Sequence, residues 1–190
     1  MIQSPYLLHP TIKFINYNNY TYISRSGINA QKEFTYMAMA RCILSKILDE
    51  NKVLYLDVDT IIDGSLEDLW NTSLQDNILA GTREIDSGYF NSGVLLMDLV
   101  KIRAENYDDQ LIDLLNHVDL YLPDQDALNI VFRDKILPLS DKFNAMGQAY
   151  TWYGKREIII RHFAGVIKPW QQGANSQDIA FWNKYAITTI

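Results

Sequence analysis

The stretch "LYLDVDTIIDG", residues 54–64, sets two carboxylates one residue apart at the end of an apolar run. On an extended chain, residues i and i+2 point the same way, so Asp57 and Asp59 share a side. Two carboxylates in apolar surroundings repel, and their pKa values rise. A hard divalent cation, Mn²⁺ or Mg²⁺, removes that conflict and keeps positions open for phosphate oxygens. Two surface acids at a strand end are the plainer reading. His162, in "IIIRHFAGVIKPW", follows a second apolar run. Its neutral imidazole suits a third ligand. A hydrogen-bonded, half-buried histidine is the other reading. Lys168 in the same segment is a candidate phosphate partner, and Gly165 lets backbone approach a phosphate closely. His9 and His117 lack such context and read as structural or surface residues.

Asn91, in "YFNSGV", stands just before an apolar run. Its amide suits sugar hydroxyls, and equally suits a turn. Pro123-Asp124-Gln125-Asp126 opens a helical pattern, where acids are expected from capping and the macrodipole alone. That explains Asp124 and Asp126 better than Gln125. Arg41 lies in an otherwise apolar helix face, so its charge needs an acid or a ligand phosphate. Asp63 before Gly64 reads as a turn residue.

These residues need elements to hold them. Residues 30–50 carry apolar positions at helical spacing, and "KVLYLDV" follows as a buried strand. "TIKFINY" (11–17) alternates like a strand. Residues 65–71 form a short helix capped by Ser65. Residues 77–83 form a strand, and residues 88–102 a turn running into another. Residues 107–118 and 123–134 are helices, the second opened by Pro123. "KILPLS" and "REIIIRHF" are short strands. The alternation implies an α/β sheet with helices on its faces, and a mixed, mostly parallel sheet is the expectation.

The chain has 190 residues, 48% hydrophobic, 21% charged, with a net charge of -6. That suits a single core and argues against disorder. No basic run supports nucleic-acid binding. The single cysteine, Cys42, allows no intrachain disulfide and reads as a small core residue. No apolar run approaches the roughly 20 residues of a membrane helix. The start shows no signal-peptide pattern. A cytoplasmic location is the expectation, with peripheral contact at the inner membrane face left open.

Together "YMAMARCILSKIL", "KVLYLDVDTIIDGSLEDLW", "YFNSGVLLMDL", "PDQDALNIVF", "LPLSDKFNAM" and "RHFAGVIKPW" resemble, in order, glycosyltransferase family 8. That family includes bacterial lipopolysaccharide galactosyl- and glucosyltransferases and the glycogenins. The resemblance implies a GT-A nucleotide-diphospho-sugar transferase fold. It implies a metal-dependent, anomer-retaining transfer of a hexose, galactose or glucose. The donor would be a UDP-sugar and the acceptor a glycan or lipopolysaccharide. By motif position, Asp57, Asp59 and His162 would hold Mn²⁺ or Mg²⁺, and Gly165 and Lys168 would meet the diphosphate. Arg41, Asn91 and Asp124 would surround the donor sugar. Gln125, with Asp124, would stand nearest the catalytic face.

The family also begins with a strand and loop that grip the nucleotide base, and residues 1–29 show no counterpart. The expectation is one GT-A domain over 1–190, incomplete at its N-terminus. A truncated product, a domain completed by another chain or by a homo-oligomer, and a non-catalytic donor- or partner-binding remnant are the three explanations.

Overall fold

The computed structural model describes residues 13–31, 36–84, 88–147 and 157–186. Strands β1 (Lys52–Leu56), β3 (Leu79–Arg83), β4 (Phe90–Asp98) and β5 (Ile136–Pro138) form a sheet in the order β1-β4-β3-β5. A second sheet joins β2 (Thr60–Ile62), β7 (Ile160–His162) and β6 (Ala145–Met146) in the order β2-β7-β6. Strand β4, "FNSGVLLMD", is buried along its length except at Asp98. A strand covered on both faces reads as a continuous apolar run. Its residues still divide by period two. Leu95 and Met97 join the larger core, while Val94 and Leu96 pack on the opposite side.

The larger core lies under helices α1 (Leu44–Ile47), α3 (Leu99–Ala104), α4 (Tyr107–His117) and α5 (Pro123–Val131). Phe132, Leu111 and Leu115 are buried there beside Cys42. Each such fully buried side chain contributes about 1.5–3 kcal/mol by leaving water. Helix α2 (Glu67–Trp70) sits on the other side, where Leu69 packs with Phe143 and Ile160. Helix α6 (Ser176–Tyr185) closes the described chain. No helix among the described residues is long and apolar enough to cross a membrane.

The sheets are mixed, as expected, but among the described residues antiparallel pairs outnumber parallel ones where mostly parallel pairing was expected. β1–β4, β3–β4 and β2–β7 are antiparallel, whereas β3–β5 and β6–β7 are parallel. The segment joining β3 to β4 explains one pairing. It is too short for the crossover that a parallel neighbour requires.

The helix expected over 30–50 is a 3-10 helix, Tyr36–Ile43, running into α1; residues 32–35 lie outside the described ones. A long 3-10 stretch often marks a functional position, and this one carries Arg41. The strand expected over 11–17 is not formed where described. Residues 13–16 are irregular, and Tyr17–Asn19 is a 3-10 turn whose Asn16 side chain accepts from the Asn18 N–H at 3.0 Å. Such local bonding competes with a strand ladder. Residues 11 and 12, His9 and residue 156 lie outside the described residues. Ser65 is not the N-cap of α2, which is Leu66 with no side-chain cap bond; one residue earlier, the Ser65 Oγ accepts from the Glu67 N–H at 3.2 Å.

Candidate active site

The chain leaves β1 at Leu56, passes Asp57 and Asp59, and turns into β2. The pairing of β2 with β7 sets Thr60 opposite His162, and the Phe163 N–H donates to the Asp59 carbonyl at 2.9 Å. Residues about a hundred positions apart in sequence thus meet. Asp57, Asp59 and His162 each offer one ligand atom, all within 4.8 Å of one another. His162 Nε2 lies 3.6 Å from Asp57 Oδ2 and 3.4 Å from Asp59 Oδ1. Two hard oxygens and an imidazole nitrogen suit Mn²⁺ or Mg²⁺. Gly93 of β4 forms the floor. A Cβ there would stand 2.1 Å from His162 Cε1 and 2.8 Å from Asp57 Oδ2. The glycine inside this strand marks a close approach of side chains to backbone.

Each carboxylate already has a cation. Arg41, 4% exposed, grips Asp57 with both terminal nitrogens, at 2.7 and 3.3 Å. Its Nε lies 3.1 Å from Asp124 Oδ2, and Nη1 donates to the Ser92 carbonyl at 2.6 Å. Burial disfavours the guanidinium charge, but Asp124 and Asp57 outweigh it and hold its pKa above the ordinary value. Burial pushes the Asp124 carboxyl up, with Arg41 and Ser92 opposing. Lys168 Nζ donates to Asp59 Oδ2 at 2.6 Å and to the Phe163 carbonyl at 3.0 Å. Burial works against the Asp59 charge. Contacts with a protonated His162 and with Lys168 prevail and hold this carboxyl well below the usual carboxylate range.

Amides fill the space beside these charges. Asn91, Gln125 and Asn144 are all buried. Gln125 Oε1 accepts from the Ser92 N–H at 2.9 Å and from Asn91 Nδ2 at 3.1 Å. Its Nε2 donates to Glu84 Oε1 at 3.0 Å. Asp124 accepts from Ser92 Oγ at 2.9 Å. Asp126 instead caps α5: it accepts from the Leu122 N–H at 2.8 Å and pairs with the Tyr89 hydroxyl. Capping thus accounts for Asp126, while Asp124 turns into the site.

The loop after β7 carries Gly165 and Lys168. Gly165 has φ +112°, a conformation open to glycine and strained for other residues. Trp170 packs against Trp182 of α6 with ring centroids 4.7 Å apart and planes tilted by 52°, and Phe163 meets Phe181 and Trp182 edge-on. The buried Arg161 pairs with Asp178, and Asp63 with Lys184 and Tyr185, fastening α6 to the second sheet. Asp63 is therefore an anchor as well as a turn residue. His117 lies on the exposed part of α4, its Nδ1 2.9 Å from Asp113.

An open cleft of about 710 Å³ collects the sequence candidates. Arg41, Asp57, Asp59, Asn91, Asp124, Gln125, His162, Gly165 and Lys168 all line it. Glu84, Ser92 and Asn144 escaped the sequence reading. Ser92 and Asn144 lay inside two of the family segments, "YFNSGVLLMDL" and "LPLSDKFNAM", without being singled out. Glu84 had no signal.

The description "Glycosyl transferase family 8" matches residues 7–174. The glycosyltransferase GlyE of Streptococcus pneumoniae is 33% identical over 177 residues, 84% of this chain and 43% of that protein. The lipopolysaccharide glucosyltransferase WaaO of Escherichia coli is 30% identical over 179 residues, 78% of this chain and 53% of that protein. The chain thus spans about half the length of these curated relatives. Among solved structures, GlyE superposes with a TM-score of 0.72 at 30% identity, covering 83% of this chain and 44% of that one. The galactosyltransferase LgtC, solved with donor and acceptor sugar analogues, gives 0.68 at 26% identity, covering 80% and 67%. With the match running through every segment that lines the cleft, the chain belongs to glycosyltransferase family 8.

Proposed function

We propose that this chain carries the catalytic face of a metal-dependent, anomer-retaining hexosyltransferase. It would move galactose or glucose from a UDP-sugar to a glycan acceptor, in lipopolysaccharide or another surface polysaccharide. The observation that carries this reading is the convergence of Asp57, Asp59 and His162 within 4.8 Å in the cleft that Lys168 lines. The relatives support it as sugar transferases, one of them named for lipopolysaccharide.

Asp57, Asp59 and His162 would hold Mn²⁺ or Mg²⁺, which when bound neutralises charge on the departing diphosphate. Lys168 would exchange Asp59 for a phosphate oxygen, and Gly165 would bring backbone against the same group. Arg41 orders Asp57 and Asp124 on the donor side. Asp124 and Asn91 would face the sugar hydroxyls. Gln125 is a weak nucleophile, and its Oε1 already accepts from Ser92 and Asn91. Electrostatic support of a same-face displacement therefore fits it better than a covalent intermediate.

The test is UDP release from UDP-galactose and UDP-glucose, with and without Mn²⁺, with the product anomer read by NMR. Mn²⁺-dependent turnover with retention is expected. Mn²⁺-dependent donor binding without turnover would instead mark a donor-binding module. No donor binding in Mn²⁺ would sink both readings.

Lys168→Ala separates phosphate binding from support of the fold. Losing one charge-assisted hydrogen bond is expected to weaken UDP binding in Mn²⁺ about tenfold or more. Binding of Mn²⁺ without nucleotide should not weaken, because Asp59 no longer shares its charge with Lys168. Calorimetry gives both values. A large fall in melting temperature without ligand would show Lys168 to be structural.

A further inference from the structure

We propose that Asn144 is a positioning residue that holds the His162 proton on Nδ1, leaving the Nε2 lone pair facing Asp57 and Asp59. The inference rests on the metal reading for its purpose and on hydrogen-bond geometry for its substance. Side-chain amides and imidazoles are ambiguous taken singly, since each offers donor and acceptor atoms that look alike. A backbone N–H is not ambiguous, and one stands at the start of this chain of contacts. The Gly93 N–H donates to Asn91 at 2.9 Å, so the atom it meets is the oxygen, Oδ1. Asn144 touches that same Oδ1 at 3.0 Å, so its contacting atom is the donor Nδ2. The remaining Asn144 atom is then the acceptor Oδ1, which lies 2.9 Å from His162 Nδ1. Nδ1 must carry the proton.

The other arm of the network agrees. The Ser92 N–H identifies Gln125 Oε1, and Asn91 Nδ2 donates to that oxygen. Asn91 is thus oriented from both ends. Asn144 is 1% exposed and His162 3%, so no bulk water competes for these contacts.

The arrangement opposes a real alternative. Free neutral imidazole favours the proton on Nε2, and here two carboxylates face Nε2 at 3.4 and 3.6 Å. Those separations are longer than a hydrogen bond, whereas the Nδ1 contact is within range. A neutral ring has one proton, so the Asn144 contact decides where it sits. A proton on Nε2 would have to leave before that nitrogen could ligate a cation. The hydrogen bond at the other ring nitrogen sets which one is free to bind metal. Gly93 serves twice here: its N–H orients the relay, and its missing Cβ makes room for the ring.

The experiment begins with the unaltered, metal-free chain, ¹⁵N-labelled at histidine, at alkaline pH where the rings are neutral. With three histidines in the chain, assignment is direct. His162 is expected as the Nδ1–H tautomer; finding Nε2–H overturns the proposal whatever the variants do. Asn144→Leu should move His162 towards Nε2–H and weaken Mn²⁺ binding about 10- to 100-fold by calorimetry. Asn144→Asp keeps an oxygen acceptor for Nδ1 and should keep the Nδ1–H tautomer, but its second oxygen faces Asn91 Oδ1 and loses that bond, so its readout is the tautomer alone. An Asn144→Leu protein with unchanged tautomer or Mn²⁺ affinity also overturns it. If that variant does not fold, the parent spectrum still decides. A parent that binds no Mn²⁺ sinks the metal reading, while the tautomer still decides the relay.

Discussion

Asp59→Asn is expected to abolish Mn²⁺-dependent donor binding while leaving the fold in place. Asparagine keeps the shape and one oxygen but loses the charge that a hard cation requires. Loss of a residue that merely supports a ligand costs about 10- to 100-fold in affinity; loss of a ligand's charge should cost at least that. Lys168, released from Asp59, still has the Phe163 carbonyl and is only partly buried. The fold favours the Asp59 charge, so its loss costs some stability, but no charge is stranded in the interior. Asp57→Asn is a poorer probe of the metal. Asp57 shares the buried Arg41 with Asp124, so its removal costs part of the roughly 3–5 kcal/mol of a broken buried pair. The two variants should therefore part company: both lose Mn²⁺, but Asp57→Asn should lose more stability. Mn²⁺ calorimetry and urea denaturation of each check this. Unchanged Mn²⁺ affinity in Asp59→Asn would remove Asp59 from the metal site.

Gly93→Ala is expected to destroy the proposed cation site by adding one carbon. The new Cβ would lie 2.1 Å from His162 Cε1, 2.7 Å from Nδ1 and 2.8 Å from Asp57 Oδ2. None of these neighbours yields cheaply. His162 is bonded to Asn144, Asp57 is gripped by Arg41, and the strand itself is tied down where the Asp57 N–H donates to the Gly93 carbonyl at 2.8 Å. Overpacking of this kind costs about 1–3 kcal/mol. Mn²⁺ binding should fall by about 100-fold or more, since a displaced His162 removes a ligand rather than a supporting contact. Denaturation midpoint and Mn²⁺ titration of the same sample give both effects. A variant that binds Mn²⁺ normally would mean His162 sits elsewhere.

Local chemistry made several elements legible. Helix α5 announced itself through Pro123 at its first turn, and β4 through an apolar run long enough to be covered on both faces. The 3-10 turn at Tyr17–Asn19 did not, because alternation in "TIKFINY" carries no trace of the Asn16 side chain bonding its own backbone. Strands β2 and β6 have three and two residues, too short for any periodicity. They exist because β7 lies between them to complete their ladders. Helix α6 went unread for a similar reason. Its weak amphipathicity is compensated by long-range anchors, Asp178 on Arg161 and Trp182 on Trp170.

By itself the sequence determined which residue types stand where chemistry could happen. Asp57 and Asp59 stand one residue apart just past an apolar strand, although the structure holds them in the turn between β1 and β2 and not on the strand itself, and the order of six motifs identifies the family. Tertiary structure decided what each of those residues touches. No local pattern states that β2 pairs with β7, yet that pairing brings His162 to the two carboxylates. Nor does any pattern state that Arg41 belongs to Asp57 and Lys168 to Asp59, or that Gly93, Asn91 and Asn144 run in line to His162 Nδ1. Spacing along a strand is local and readable. Charge pairing and proton placement are set by neighbours distant in sequence, and exist only once the chain has packed.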